Sequence, residues 1–238
     1  MLKIVSVLSF VLLFFHDGEK QTAKQTKSKI LIDGLGVEKV WNTADWKPLD
    51  QAWIGKSPDP ADFTGRYKLL WDENQLYLLA EIQDDTLIDI YKDKFDSWWD
   101  DDCLEIFIDE DASKGEHQYN HNAFAYHLAL DGNVVDIGPD KNPHLYNNNV
   151  KFKHTQKGKI TTWECAVKVY KYDFKDDVKT NIPVKLSNKK KLGFALAYCD
   201  NDKSERRENF IGSIPVSGED KNRGWIDAGI FGELVLVK

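Results

Sequence analysis

An acidic segment with two adjacent tryptophans, residues 98–111 (WWDDDCLEIFIDED), contains side chains suited to binding a ligand. Within it Leu104, Ile106 and Ile108 alternate with polar or aromatic residues, so a strand would place these three on one face and Glu105 on the other. An ionised carboxylate accepts hydrogen bonds, and an indole ring offers a flat apolar surface. Together they suit a ligand that has an apolar face and hydroxyl groups, as a sugar ring has.

Trp99 and Trp225 both lie in polar surroundings. The sequence DDD follows Trp99 and KNRG precedes Trp225, which is typical of strand ends and loops. Tryptophans are more often partly buried packing residues, and that alternative stays open for both. The tryptophans that are predicted to pack inside the fold are Trp41, Trp46, Trp53, Trp71 and Trp163.

The composition argues against a polyanion partner. The chain of 238 residues has a net charge of −7, whereas nucleic-acid binding depends on clustered Lys and Arg. No phosphate loop is present, so no nucleotide is expected. Cys103, Cys165 and Cys199 lie in apolar strand patterns without the spacing of a metal site. We predict buried free thiols, and one disulfide after export is the alternative.

The N-terminal segment is typical of export. Lys3 precedes the apolar run Ile4 to Phe15, which is too short to span a bilayer comfortably. We therefore predict a signal-like segment at residues 1–16, an exported protein (periplasmic, cell-surface or extracellular) and no further transmembrane span. Residues 17–29 are polar and lysine-rich, as a flexible tether would be. One domain, residues 30–238, follows.

Short apolar segments with a period of two predict an all-β protein. The clearest hairpin turns at Asp72-Glu73-Asn74. The predicted strands are residues 29–32, 67–71, 75–82, 103–109, 123–130, 134–137, 160–169, 192–199 and 230–237. No long segment has a 3.6-residue apolar period, so helix is confined to short turns near residues 87–91 and 172–178. An antiparallel two-sheet β-sandwich, jelly-roll-like, would bury these strands, and we expect it to be a monomer.

Four segments, in this order, resemble the carbohydrate-binding modules of family nine. They are Asp33-Gly34 followed by Trp41; LWDENQLY at 70–77; WDDDCLEIFID at 99–109; and NRGWID at 222–227 with Phe231-Gly232. The resemblance runs from about Ile30 to the C-terminus. It implies a noncatalytic β-sandwich that binds carbohydrate, in particular the end of a glycan chain.

The resemblance also implies a site in which two tryptophans enclose a terminal sugar while polar side chains bind its hydroxyls. Carried over, the tryptophans are Trp99 and Trp225, and Glu105 is the hydrogen-bonding acid. The Glu105 carboxylate would accept from two neighbouring hydroxyls. An exposed strand carboxylate opposite a lysine is the alternative for Glu105.

Further polar residues complete the site that the resemblance implies. Asn222 matches a polar position just before the second tryptophan, and His127 stands where the family often has an asparagine. A half-buried histidine with satisfied hydrogen bonds is the alternative for His127. Two residues before it, the family's sugar binders have an arginine, whereas this chain has Ala125. Tyr126, His127 or Arg223 could supply the missing donor, or the ligand differs.

Two other functions fit the sequence less well. A glycoside hydrolase needs two carboxyl groups about 5 to 10 Å apart, and Glu105 has no marked partner. No nucleophile elbow or HExxH motif is present. Related domains of this fold in electron-transfer proteins bind haem, but the only methionine is Met1 and no CxxCH motif exists. That leaves His127 or His144 as ligands, and we expect no haem.

Structural calcium is the one cofactor that the resemblance implies. Residues 84–111 contain twelve carboxylates against Lys92 and Lys94, a density that a bound cation would neutralise. Oxygen-rich loops offer the ligands that calcium prefers, without EF-hand spacing: Asp84-Asp85, Asp100 to Asp102, Asp131-Gly132-Asn133 and Asp200-Asn201-Asp202. A solvated acidic rim is the alternative for each loop.

Overall fold

The computed structural model describes residues 20–238, where regular structure is almost entirely β-strand. The strands of this part of the chain are Gln21–Gln25 (β1), Lys47–Leu49 (β2), Gln51–Ile54 (β3), Phe63–Trp71 (β4), Leu76–Asp84 (β5), Cys103–Asp109 (β6), Ala123–Ala129 (β7), Val134–Ile137 (β8), Pro143–Leu145 (β9), Val150–Lys157 (β10), Ile160–Val167 (β11), Lys191–Asp200 (β12), Asn209–Gly212 (β13) and Gly232–Val237 (β14). Short 3₁₀ helices cover Lys39–Thr43 and Ala228–Ile230. The predicted all-β class is confirmed. The export segment predicted for residues 1–16 lies outside the described residues.

The strands form two layers that face each other across a main core. One layer has the order β10-β11-β5-β4 and the other the order β14-β12-β6-β7-β8-β9, with β1 between them. Neighbours within each layer are antiparallel. Leu78 and Trp163 of the first layer lie in one buried cluster with Ile106 and Leu196 of the second. Because successive side chains point to opposite faces, the long strands contribute alternate residues to this core, as in the predicted sandwich.

Strand β1 corrects the predicted tether. Residues 21–25 were expected to be flexible because they are polar, yet Gln21 and Ala23 are buried while Thr22 and Lys24 are exposed. The polar composition conceals this period of two. The strand pairs in parallel with β14 and with β4, so it joins the two layers. The folded domain therefore includes these residues, and the sandwich is not wholly antiparallel.

Five further strands were not predicted, namely β2, β3, β9, β10 and β13, and the remaining departures are in connecting segments. Residues 29–32, predicted as a strand, are irregular, and neither predicted helical turn, 87–91 or 172–178, is helical. In the first of these turns, two consecutive backbone N–H groups donate to the carboxylate of Asp101 at 2.9 and 3.0 Å. Such side-chain acceptors compete with helical hydrogen bonds.

The outer face of the second layer carries a smaller core. Trp53, Phe107 and Phe210 pack there beside alanines of β7 and β12. All three cysteines are buried and free, as predicted. Of the tryptophans predicted to pack inside, four are buried and Trp46 is half-buried.

Among the described residues, no helix has the length and apolar character needed to cross a membrane.

Candidate functional site

A cavity of about 270 Å³ lies on the outer face of β6 and β7, and we call it the outer-face cavity. Its volume is close to the lower limit for small-molecule sites, about 300 to 1,000 Å³. Five of the six predicted site residues line it: Trp99, Glu105, His127, Asn222 and Trp225. Residues from three separate parts of the sequence therefore meet at one concave surface.

Glu105 is buried in the cavity wall. The strand pattern had suggested instead that this side chain would be exposed. Leu104 and Ile106 face the main core and Glu105 the opposite side, as predicted. Loops and neighbouring strands cover that side, so Glu105 is only 2% exposed. Its Oε2 atom lies 3.3 Å from His127 Nε2. The two atoms are close enough for an ion pair but not aligned for a hydrogen bond, so Oε2 has no donor among the described residues.

His127 stands directly opposite Glu105 on the neighbouring strand. Its Nδ1–H donates to the Ala125 carbonyl at 3.2 Å, which leaves Nε2 beside the Glu105 carboxylate. Burial has the largest single effect and lowers the pKa of His127, but Glu105, together with smaller contributions from Cys199 and Asp136, outweighs burial and raises the pKa above its ordinary value. Asp136 also lines the cavity, and burial raises its pKa to about 7. The wall therefore contains groups that change charge near neutral pH.

Trp99 is held in place by a loop that the adjacent aspartates organise. The Asp102 carboxylate accepts from the backbone N–H of Asn201 at 2.8 Å. The Asn201 side chain in turn donates to the carbonyl of Asp100 at 2.6 Å. The Trp99 ring is 38% exposed and meets Trp98 edge-on, with ring centroids 4.7 Å apart. These aspartates fold the loop and are not a solvated rim.

Trp225 is positioned by His117. The His117 Nε2–H donates to the carbonyl of Gly224 at 2.7 Å, and its backbone N–H donates to the carbonyl of Ile226 at 2.7 Å. Both chain neighbours of Trp225 are thereby fixed. Glycine is needed at position 224 because a Cβ atom there would lie 2.7 Å from the Phe107 ring. Trp225 itself is half-buried, so its ring is not sealed in the interior.

Sequence reasoning missed several parts of the wall: Trp98, Asp136, Arg207 and the loop His117–Asn120. Trp98 is buried, and its Nε1–H has no partner among the described residues. Arg207 comes from the connection between β12 and β13. Its neighbour Arg206 has the same side chain, so composition gave no reason to choose between them.

The structure does not bring Arg223 to the outer-face cavity. Its Nη1 donates to the carbonyls of Ser217 and Asp220 at 2.9 and 2.5 Å, and its Nε lies 3.8 Å from Asp227. Arg223 therefore stabilises its own loop. Tyr126, the other predicted donor, faces the main core, where Asn149 Nδ2 donates to its hydroxyl at 3.0 Å.

A second group of acids, the acidic cluster, forms outside this cavity. It comprises Asp62, Asp84, Asp85, Asp200, Asp202 and Glu208, which form overlapping triads with oxygens within 4.8 Å of one another. Burial, together with the neighbouring carboxylates, raises the pKa of Asp84 to about 6 and of Asp200 to about 7. None of the six has a salt bridge within residues 20–238.

The acidic cluster fits a calcium ion. One oxygen of Asp202, Oδ1, is buried and has no hydrogen-bond partner among the described residues, and calcium prefers several carboxylate oxygens. Two of the four predicted loops, Asp84-Asp85 and Asp200-Asn201-Asp202, meet here. The Asp100 to Asp102 loop is occupied with its own backbone hydrogen bonds. In the fourth loop, Asp131 accepts from the backbone and side chain of Asn133.

Comparison with known proteins identifies the family. Residues 32–238 match the sequence model of the family described as "Carbohydrate family 9 binding domain-like". The chain belongs to this family. The resemblance stated from the sequence is thereby confirmed, and the family 9 domain is a noncatalytic, sugar-binding one. The alternative of a hydrolase that uses Glu105 is set aside.

Curated relatives of the family 9 domain are much longer proteins. The family 9 domain is 30% identical over 210 residues to Endo-1,4-beta-xylanase A of Thermotoga maritima, and it has the same identity over the same length to that of Thermotoga neapolitana. Each match covers 87% of this chain but 17% of the relative. The chain therefore corresponds to a small part of each xylanase.

Solved structures share the fold. A family 9 carbohydrate-binding module from Caldicellulosiruptor kristjanssonii, in complex with cellotriose, superposes with a TM-score of 0.66 at 19% identity, covering 92% of this chain and 94% of that one. The same module in complex with glucose gives the same score and identity, with coverage of 92% and 95%. A putative carbohydrate-binding protein from Bacteroides uniformis has a TM-score of 0.59 at 14% identity, covering 92% and 99%.

Proposed function

We propose that the family 9 domain binds the end of a glycan chain in the outer-face cavity, with the terminal ring between Trp99 and Trp225. Both rings line the cavity, and neither is sealed inside the fold. A ring stacked on an indole gains about 1 kcal/mol beyond the burial of apolar area. His127 and Asn222 are in the same wall and contribute polar contacts.

The observation that carries this proposal is that Trp99, Glu105, His127, Asn222 and Trp225 all line one cavity. An ionised carboxylate accepts hydrogen bonds from hydroxyl groups. The Oε2 atom of Glu105 is buried and lies 3.3 Å from His127, so a sugar hydroxyl would donate to the other oxygen, Oε1.

Glucose and β-linked glucose oligomers are the ligands that we propose first. The related module from Caldicellulosiruptor kristjanssonii was solved with cellotriose and with glucose. A cavity of about 270 Å³ suits a single ring better than a long chain segment. Binding at a chain end follows from that size.

We further propose that the acidic cluster holds one structural calcium ion, which would neutralise carboxylates that otherwise repel one another. Asp84, Asp200 and Asp202 form the triad with the most buried members. We also propose that residues 1–16 direct export, so that the domain acts outside the cytoplasm, as a monomer.

A glycan array followed by calorimetry tests the main proposal. Wild-type protein should bind glucose-terminated glycans, whereas Trp99→Ala and Trp225→Ala should lose detectable binding while still folding. Trp225 packs against the smaller core, so a lower melting temperature is expected for that variant. Tyr172→Ala is the matched control, because Tyr172 is 73% exposed and outside the cavity wall. Unchanged affinity in both tryptophan variants would reject the site.

A further inference from the structure

Arg207 presents its guanidinium group in the wall of the outer-face cavity. Nη1 donates to the Sγ atom of Cys199 at 3.0 Å, and Nη2 donates to Oδ1 of Asn222 at 2.9 Å. The guanidinium carbon lies 4.1 Å from the ring centroid of Phe210. The backbone N–H of Arg207 donates to the Asp100 carboxylate at 3.2 Å. The side chain is therefore held from several directions and has little freedom to turn away from the cavity.

The guanidinium of Arg207 has donors to spare. An arginine carries five N–H donors, and the two contacts above use only two of them. Within residues 20–238, no carboxylate lies within 4.0 Å of this guanidinium. Half-buried charged groups usually have a charged or multiply hydrogen-bonded partner. Arg207 instead has one amide oxygen and one sulfur atom.

The opposite side of the cavity lacks an arginine. Ala125 lies on the same face of β7 as His127 and is buried beside Phe107, so position 125 offers no donor. Arg223 is bound within its own loop, and Tyr126 faces the main core. Arg207 is thus the one guanidinium that the described chain presents to this cavity.

We propose that Arg207 is a specificity-determining residue of the sugar site, where its free N–H groups donate to two neighbouring oxygens of a neutral sugar ring. This inference rests on the proposed function. Glu105, in the same wall, accepts from hydroxyl groups, so the two side chains offer a fixed donor and a fixed acceptor. Cys199 and Asn222 are positioning residues that aim the guanidinium.

Calorimetry of matched arginine variants tests the proposal. Arg207→Gln removes the charge and the donor fork, and Arg206→Gln makes the same change at the exposed neighbour, outside the cavity. We expect glucose or cellotriose affinity to fall about 10-fold or more in Arg207→Gln and to stay unchanged in Arg206→Gln. Arg207→Lys keeps the charge without the planar fork, and an intermediate affinity is expected.

Deoxygenated sugars distinguish contact from a purely structural role. If Arg207 contacts a hydroxyl group, the monodeoxyglucose that lacks this hydroxyl should bind wild-type protein about 10-fold more weakly than glucose does. The same deoxy sugar and glucose should bind Arg207→Gln with about equal affinity. If every deoxy sugar loses the same factor in both proteins, Arg207 makes no ligand contact and the proposal is overturned.

A measurement on wild-type protein keeps the test decisive if Arg207→Gln fails to fold. The chain has four arginines, Arg66, Arg206, Arg207 and Arg223, so the guanidinium Nε resonances can be assigned by substituting the other three. Addition of glucose should shift the Arg207 resonance and leave that of Arg206 in place. Wild-type binding with an unmoved Arg207 resonance overturns this inference alone, whereas no binding of any arrayed glycan overturns the proposed function.

Discussion

The two faces of β6 are built from neighbouring residues but have opposite properties. On the inner face, Ile106 is fully buried among side chains of the opposite layer. On the outer face, Glu105 is almost as buried, yet one of its oxygens has no hydrogen-bond donor. Burial is thus nearly equal on the two faces, and what differs is what lies beyond them. The inner face packs against the opposite layer and stabilises the fold, whereas the outer face borders a cavity that a ligand can enter.

The inner face should dominate stability. Ile106→Ala removes buried aliphatic volume from the main core, and we expect the free energy of unfolding to fall by about 2 to 5 kcal/mol. Chemical denaturation measures the change. Sugar affinity of the folded fraction should stay at the wild-type value, because Ile106 does not line the outer-face cavity. A loss of affinity equal to that of Trp99→Ala would show that the two faces are not separable.

Calcium should act on neither face but at the strand ends where the layers meet. Asp84 ends β5 of one layer and Asp200 ends β12 of the other. A ligand at 100 times its dissociation constant stabilises by about 2.7 kcal/mol, which for a domain of this size raises the melting temperature by about 5 to 10 °C. Thermal melts with calcium and with a chelator measure this shift.

The acidic cluster has its own control. Asp84→Asn combined with Asp200→Asn should remove the calcium-dependent shift, whereas Asp131→Asn, in a loop whose carboxylate already has partners, should keep it. A melting temperature of wild-type protein that calcium leaves unchanged would contradict the calcium proposal. Sugar binding tests a different region and would be unaffected by that result.

Glu105→Gln sharpens the comparison from the outer face. The substitution keeps the shape of the side chain and removes its charge, so the unfolding free energy should fall by less than for Ile106→Ala, through the lost interaction with His127. The sugar should lose a charged acceptor, with affinity falling about 10-fold or more. Calorimetry and denaturation on the same preparation give both values. Retained affinity in Glu105→Gln would show that Glu105 makes no contact with the sugar.

Much of this contrast follows from local sequence, and the remainder does not. A period of two separates Leu104 from Glu105 because strand geometry depends on neighbouring residues alone. Burial of Glu105 could not be predicted, since the loops that cover it come from distant parts of the chain. Arg207 escaped notice for the same reason: only its long-range contacts to Cys199 and Asn222 distinguish it from Arg206.

Strand β1 was missed for a different reason, because its side chains gave no sign that the segment is folded. Its residues, QTAKQ, are polar enough to suggest a tether, and only Ala23 is apolar. The strand is stabilised largely through its backbone, which pairs with β14 and β4, and backbone pairing leaves no compositional trace. A sequence pattern reports which side chains are buried, but not which backbone groups find a partner across the fold.

The smallest predicted effect concerns the ion pair between His127 and Glu105. The Glu105 charge raises the pKa of His127 in the folded state above its ordinary value of about 6.5. Protonated His127 therefore stabilises the fold below about pH 6.5, and this contribution is lost as the pH rises through the higher folded-state pKa. Burial raises the pKa of Asp136 to about 7, so ionisation of Asp136 also makes the fold less stable as the pH rises. The contributions of His127 and Asp136 must therefore be separated.

A difference measurement separates them. The free energy of unfolding is measured from pH 5 to pH 9 for wild-type protein and for His127→Asn, which keeps Asp136 in place. We expect the stability advantage of the wild type over the variant to shrink as the pH rises through the raised pKa of His127. Glu105→Gln removes the carboxylate that raises this pKa most, so in that background the pKa should be lower and the advantage should shrink less. A pH-independent difference would show that Glu105 and His127 are not electrostatically coupled, and that the outer face is as inert as the inner one.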